Sequence, residues 1–316
     1  MAERTPALVL LVLLLLLITS IALLHLHPPK RTPRVAVCFL TTKPDPLWLQ
    51  FVDELALGGG GGDYDVDVFV VADTPETVVL PVASPVRGVI QYNDSALEAT
   101  GFTHMNFYVS RFVKHGRSNV SAWDKAVYAF ARGEHRGRYD FVWMAEDDVF
   151  VPSAAALDSL TAAALQGPWD LVTPPHHVND REHTGTWPNW GDLLEHRVRR
   201  PWRGGMACCV GMSPRYLDLL GRVVDQFGRL LFLEAMLFTV AHHNRDTIRH
   251  WEAPQLASIV YDYDWSLDHV AARPLNLYHP IKSVQRQHSL RMALRAMPPA
   301  SLSNVTVPFF PLARVT

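Results

Sequence analysis

Apolar residues arrive along this chain in short bursts whose spacing alternates between two periods. "RVAVCFLTT" (34–42) is almost continuously apolar, as a strand buried on both faces requires, and "YDVDVFVVAD" (64–73) repeats the signal. Between them Leu47, Trp48, Phe51, Val52 and Leu55 share one face of a helix that Asp45 caps and Pro46 starts. Strand, helix, strand at this spacing predicts a βαβ unit and hence a parallel sheet. Further on, "RGVIQY" predicts a short strand, and Ser121 with Asp124 forms a capping box for the helix "AWDKAVYAFARG". "YDFVWMA" predicts the next strand, Ser153 caps the helix "AAALDSLTAAAL", and "WDLVTPP" and "MACCVGM" read as strands. "PRYLDLLGRVVDQF" and "LFLEAMLFTVAHH" read as helices, and "APQLASIVYDYDW" holds a last strand. The sum is an α/β chain with a mostly parallel, Rossmann-like sheet flanked by helices.

Three stretches break the pattern. Residues 176–205 are polar, aromatic and irregular; a loop of that length is usually functional, so Trp187 and Trp190 are expected to wall a ligand site. The glycine run Gly58 to Gly62 follows a helix and lacks the Lys-Ser/Thr of a phosphate loop, so it reads as a connector. Ala7 to Leu24 is an 18-residue apolar run, which as a helix spans roughly 27 Å, close to a bilayer core. It ends in "LLHLHPPKRTPR" without a small-residue cleavage site, which predicts a retained transmembrane signal anchor. The layout is a tail (1–6), an anchor (7–26), a basic proline-rich spacer (27–34), a main α/β domain (35–297) and a proline-rich tail (298–316).

Sidedness draws two opposed signals. Lys30, Arg31 and Arg34 after the span outweigh Arg4 before it, which by charge alone sends the domain to the cytoplasm. Three N-x-[ST] sequons, at Asn93, Asn119 and Asn304, point to the lumen. The eight asparagines should give about one by chance at average Ser and Thr content. The reading is a single-pass protein of the Golgi or endoplasmic reticulum membrane with a lumenal domain. Composition adds exclusions: 316 residues with 48% hydrophobic content are globular, and a net charge of −2 argues against a nucleic-acid partner. Three cysteines are too few for a disulfide framework; Cys208 and Cys209 are adjacent, so at most one pairs with Cys38.

The chemistry lies in the acids. Acid-x-acid recurs along the chain, so position must discriminate, because ligands bind beyond the carboxyl ends of strands in open α/β sheets. Asp63, Asp65 and Asp67 stand where a strand begins; Glu146, Asp147 and Asp148 stand where one ends, as do Asp262 and Asp264. The triplet follows the stronger strand, and its mutual repulsion calls for a divalent cation. Glu234 opens a helix inside "LLFLEAMLF", where burial raises a carboxyl pKa and the helix amino terminus lowers it. An acid near neutrality suits a general base, although an ion pair with Arg229 is the plain alternative.

A βαβ start, an E-D-D triplet ending a central strand and an amino-terminal anchor resemble the Golgi-type glycosyltransferases of the GT-A fold, whose DxD-type motif binds manganese and a nucleotide sugar. The resemblance spans roughly residues 35–283. It implies that Asp148 and the late His279 ligate Mn2+ or Mg2+, and that Glu146 and Asp147 contact the sugar, the ribose or metal-bound water. It further implies that Thr41, Asp73, Lys125 and Lys282 reach the nucleotide or its diphosphate. Glu234 would activate the acceptor, giving inversion. The implied activity moves a sugar from a UDP- or GDP-sugar to a glycan or glycoprotein hydroxyl. Two rivals use the same acids: a metal-dependent phosphohydrolase, which should show more histidine ligands, and a non-catalytic glycan- or nucleotide-binding relative.

Overall fold

The computed structural model describes residues 31–58, 63–104, 120–175, 177–179, 187 and 190–298. The expected anchor, the sequons Asn119 and Asn304, the tail beyond Pro298 and most of the glycine run lie outside them. Among the described residues no helix is long and apolar enough to cross a membrane. The chain divides after Pro33, and the second unit holds the sheet.

Strand β1 (Arg34–Thr41) is buried along its whole length after Arg34. Helix α1 (Pro46–Gly58) buries Trp48, Phe51, Val52 and Leu55, and the Asp45 carboxylate accepts the Leu47 N–H at 2.8 Å. The chain returns as β2 (Asp65–Ala72), parallel to β1 from Arg34↔Asp65 to Thr41↔Ala72. Then come β3 (Gly88–Ile90), α2 (Asp94–Glu98), α3 (Ala122–Ala131), β4 (Phe141–Glu146), α4 (Ala154–Gln166), β5 (Leu171–Thr173), β6 (His177–Asn179), α5 (Gly191–Glu195), β7 (Arg203–Gly205) and β8 (Cys209–Met212). The last elements are α6 (Pro214–Phe227), α7 (Leu233–His243), β9 (His250–Glu252), β10 (Ser258–Ile259), α8 (Leu267–Ala272), β11 (Tyr278–His279) and α9 (Val284–Ala296).

Seven strands form one sheet in the order β3-β2-β1-β4-β8-β5-β9, mostly parallel as predicted, with β8 antiparallel to both neighbours. The chain walks outward from β1 to β3, then returns to place β4 on the other side of β1. That reversal opens a crevice at the carboxyl ends of β1 and β4, where such sheets bind ligands. Alternation along β1 feeds two cores. Ala36, Cys38 and Leu40 pack on the side of α3, α6 and α7, whereas Val35, Val37 and Phe39 pack on the side of α1 and α4. At about 1.5–3 kcal/mol for each large apolar side chain, this double burial holds the rim in place.

The antiparallel direction of the predicted strand β8, the short β9 and all of α9 are additions to the predicted pattern, and "APQLASIVYDYDW" yields a 3-10 turn and the two-residue β10. Helix α9 lacks a readable apolar stripe because it buries Gln287 and Arg291 beside Leu290. Their polar atoms are satisfied by distant carbonyls: Gln287 Nε2 donates to Asp147 O (2.8 Å) and Arg291 Nε to Val151 O (3.2 Å).

Candidate active site

Strand β4 delivers Glu146 to the crevice, and a turn closed by Val149 N–H on Glu146 O (3.0 Å) carries Asp147 and Asp148 along the rim. Phe150 then bridges to Tyr278, and Ile281 N–H donates to Asp148 O at 2.9 Å. This backbone stitching brings the late His279 beside the triplet.

The three acids have different partners. Glu146 Oε1 accepts Trp123 Nε1–H (2.7 Å), and Asp147 Oδ2 accepts the Thr41 hydroxyl (2.6 Å). Asp148 Oδ1 lies 3.3 Å from His279 Nε2, with its side chain 20% exposed. The contact lacks hydrogen-bond geometry, so this buried oxygen has no hydrogen-bond partner among the described residues. His279 Nδ1 sits 2.7 Å from Val260 O, which fixes the N–H there and leaves the Nε2 lone pair toward Asp148. Burial and the charge of Asp148 raise the Glu146 pKa against the opposing Trp123 bond; burial likewise raises Asp147 against the Thr41 bond. For His279 burial opposes the charged ring, but the Asp148 carboxylate outweighs it and the pKa is raised. Crowded negative charge, a buried carboxylate oxygen without a hydrogen bond and an oriented imidazole beside it together fit a divalent cation. Asp148 Oδ1 and His279 Nε2 are close enough to bond one ion at the usual ~2.0–2.2 Å.

Glu234 opens α7, whose start is pinned by Phe232 N–H donating to the buried Asp192 Oδ2 at 2.5 Å. Burial first, then the nearby Glu146 charge, lift its pKa to about 7, while the Tyr261 hydroxyl, 3.3 Å from Oε2, and the His279 and His104 charges lower it. Glu234 is thus near enough to Glu146 and His279 to respond to their charges. Arg229, the alternative partner, gives its Nε to Leu230 O (3.0 Å).

A cleft of about 1320 Å³ lies past the ends of β1, β2 and β3, lined by Thr42, Lys43, Asp73, Gln91, Tyr92 and Asp94 among others. That volume exceeds the ~300–1,000 Å³ of ordinary ligand pockets. Asp73 lines this cleft. Lys125 does not reach it as a free cation: it is buried, with Nζ 2.9 Å from Asp73 and 2.8 Å from Asp94. Burial opposes its charge, yet the two carboxylates outweigh burial and raise its pKa. The expectation for Lys125 is corrected to a clamp that holds Asp73, because a buried ammonium needs its partners at hand. Thr41 is also corrected: it is buried, and its hydroxyl orients Asp147 rather than facing a ligand.

Trp190 is 4% exposed and packs with Trp202 in the core, so it is no wall for an acceptor. Half-buried Trp187 lies edge-on to it at 4.5 Å and reaches Phe232, two residues before Glu234. Lys282 is exposed on the segment after β11. Asn93 is exposed at the rim of the cleft, where its side-chain oxygen caps α2 by accepting the Ala96 N–H (3.1 Å). All three cysteines are free thiols, which removes both disulfide options.

Five contributors escaped sequence reading: Trp123, Cys208, Asp192, Tyr261 and the His104–Asp124 pair, whose Nδ1 to Oδ1 distance is 2.9 Å. Only Asp124 carried a local signal, as the capping-box acid; it accepts the Ser121 N–H at 2.8 Å while also binding His104.

No family model matches the sequence, and no curated protein matches it. Among solved structures the chain is similar to mouse xyloside xylosyltransferase 1 (12% identity, TM-score 0.39, covering 79% of this chain and 98% of that one). It is also similar to glucosyl-3-phosphoglycerate synthase from Mycobacterium tuberculosis in complex with Mn2+, UDP and glucosyl-3-phosphoglycerate (14%, TM-score 0.34, 86% and 87%). A third is the bifunctional glycosyltransferase WbbM (12%, TM-score 0.43, 87% and 52%). All three TM-scores lie below 0.5.

Proposed function

We propose that this protein is a metal-dependent glycosyltransferase that moves a sugar from a nucleoside-diphosphate sugar to a hydroxyl of a glycan or glycoprotein, with inversion. One observation carries the reading: Glu234, its pKa lifted to about 7 by burial and the Glu146 charge, stands near an acid triplet whose Asp148 meets an oriented histidine. Asp148 and His279 hold the cation. When bound, Mn2+ or Mg2+ supplies positive charge that offsets the charge building on the departing diphosphate.

The chain's own groups do the rest. Asp73, fixed by Lys125, receives the nucleoside in the large cleft; Asp147 and Glu146, held by Thr41 and Trp123, accept hydroxyl groups of the donor. Glu234 takes the proton of the acceptor hydroxyl as its oxygen attacks the anomeric carbon and the carbon–phosphate-oxygen bond breaks on the opposite face. A base with a pKa near the working pH is best matched to that step. Trp187 lines the approach to Glu234. The anchor, the lumenal sidedness and glycosylation at the three sequons belong to the same proposal, and glycosidase sensitivity of the full-length protein tests them.

The deciding experiment assays the purified domain against a panel of UDP- and GDP-sugars with Mn2+ present. Transfer or donor hydrolysis that needs the metal supports the reading. Absence of both with every donor, alongside cleavage of plain phosphate esters, selects the phosphohydrolase. Donor binding with no transfer, unchanged in Glu234→Gln, selects a binding protein.

A further inference from the structure

We infer that Cys208 is a sulfur ligand of the cation site, so that the centre accepts a thiophilic divalent ion through a thiolate as well as a hard ion through oxygen. This rests on the reading that Asp148 and His279 hold a cation.

The sequence gives Cys208 no partner at metal-ligand spacing; the fold supplies them. The residue immediately precedes β8, and Glu146 N–H donates to its carbonyl at 2.9 Å, which ties the cysteine to the first acid of the triplet across the sheet. Donor atoms of Glu146, Cys208 and His279 all lie within 4.8 Å of one another. Asp148 Oδ1, outside that group of three, is 3.3 Å from the same histidine nitrogen and lacks a hydrogen bond among the described residues. A carboxylate, an imidazole and a thiol thus converge from three separated parts of the chain, with Asp148 beside the imidazole.

Packing alone does not account for the thiol. Cys208 is 7% exposed and belongs to the core on the side of α1 and α4, yet its sulfur also lies within 4.8 Å of a Glu146 carboxylate oxygen and a His279 ring nitrogen. The usual buried thiol is an inert small hydrophobe among apolar groups, as Cys38 is in the middle of β1. Sulfur, nitrogen and carboxylate donors together favour cobalt and zinc over magnesium, because soft thiolates discriminate by ligand type where carboxylates do not. On coordination the S–H bond breaks, its proton passes to buffer, and the sulfur lone pair forms the bond to the ion.

The test loads the full-length chain with Co2+ in place of Mn2+ and records its near-ultraviolet spectrum and binding isotherm. The expected result is a sulfur-to-cobalt charge-transfer band that disappears in Cys208→Ser and Cys208→Ala and in Asp148→Asn, but survives in Cys209→Ser. Co2+ and Cd2+ affinity should fall at least tenfold in Cys208→Ser, with Mn2+ affinity changed far less. Melting curves confirm folding of each variant, and the wild-type band and the Cys209→Ser control stand even if both Cys208 variants unfold. Co2+ bound in an Asp148-dependent way without the band, or a band lost only in Cys209→Ser, overturns the inference and leaves the cation site intact. No Co2+ or Mn2+ binding at all overturns both.

Discussion

Glu234 shows how one side chain acquires a role its type does not guarantee. Burial and Glu146 lift its pKa to about 7, and the Tyr261 hydroxyl pulls the other way. The carboxylate form is the working base, so transfer should rise with pH through about 7 and level off above it. Tyr261→Phe removes a bond that favours the charged form, so the midpoint of that profile should move to higher pH. Glu234→Gln should lower transfer by roughly 10²–10⁴-fold while donor binding persists, read by parallel turnover and UDP titration. The same shift has a consequence for stability. The folded pKa lies above the ordinary value of 4.5, so folding is penalised once the group ionises. That penalty is absent below the unfolded pKa and complete above about 7. Melting curves should therefore show Glu234→Gln more stable than wild type at pH 8 and equal to it at pH 4.5, provided both remain folded.

At the scale of elements, α3 is more than a cover for the sheet. It carries Trp123 to Glu146, Asp124 to His104 and Lys125 to Asp73 within three consecutive residues, all of them buried. Lys125→Met leaves Asp73 and Asp94 without their cation. Breaking a buried pair costs about 3–5 kcal/mol, and the partial exposure of both acids puts the expected loss at the lower end, read as a fall in the urea midpoint. UDP affinity should weaken in the same variant, because Asp73 loses its anchor. Strand β8 depends on a glycine for the opposite reason, lack of room. A Cβ at Gly211 would sit 2.4 Å from Phe141 and 2.7 Å from Trp143, so Gly211→Ala should cost about 1–3 kcal/mol in thermal unfolding. The capping boxes and apolar stripes that announced α1, α3 and α4 were legible because they involve neighbours within a turn or two. Helix α9 was not, since it buries an arginine and a glutamine whose carbonyl partners lie in another part of the chain.

At the scale of the molecule, the site is assembled where the strand order reverses, from β1, β4, α7 and the β11 segment together. A cation bound there stabilises only the folded chain. Mn2+ at about 100 times its Kd should therefore add roughly 2.7 kcal/mol, visible as a higher Tm that EDTA reverses. Asp148→Asn should abolish that shift, and the metal-free melting curve of the same variant reads what its 3.3 Å ion pair with His279 contributes.

The amino-acid sequence alone determined the α/β class, the strands and helices that open the sheet, the acid triplet at a strand end and Glu234 at a helix start. Each is a short-range matter of hydrophobic period, capping and the direction in which a strand runs. Tertiary structure decided which of those residues meet. His279 reaches Asp148 only through the Phe150–Tyr278 bridge, Lys125 is captured by two carboxylates, Thr41 turns to Asp147, and Trp190 sinks into the core. Periodicity records that a face is buried; it holds no record of which distant segment covers it, because that is settled by strand register and chain closure.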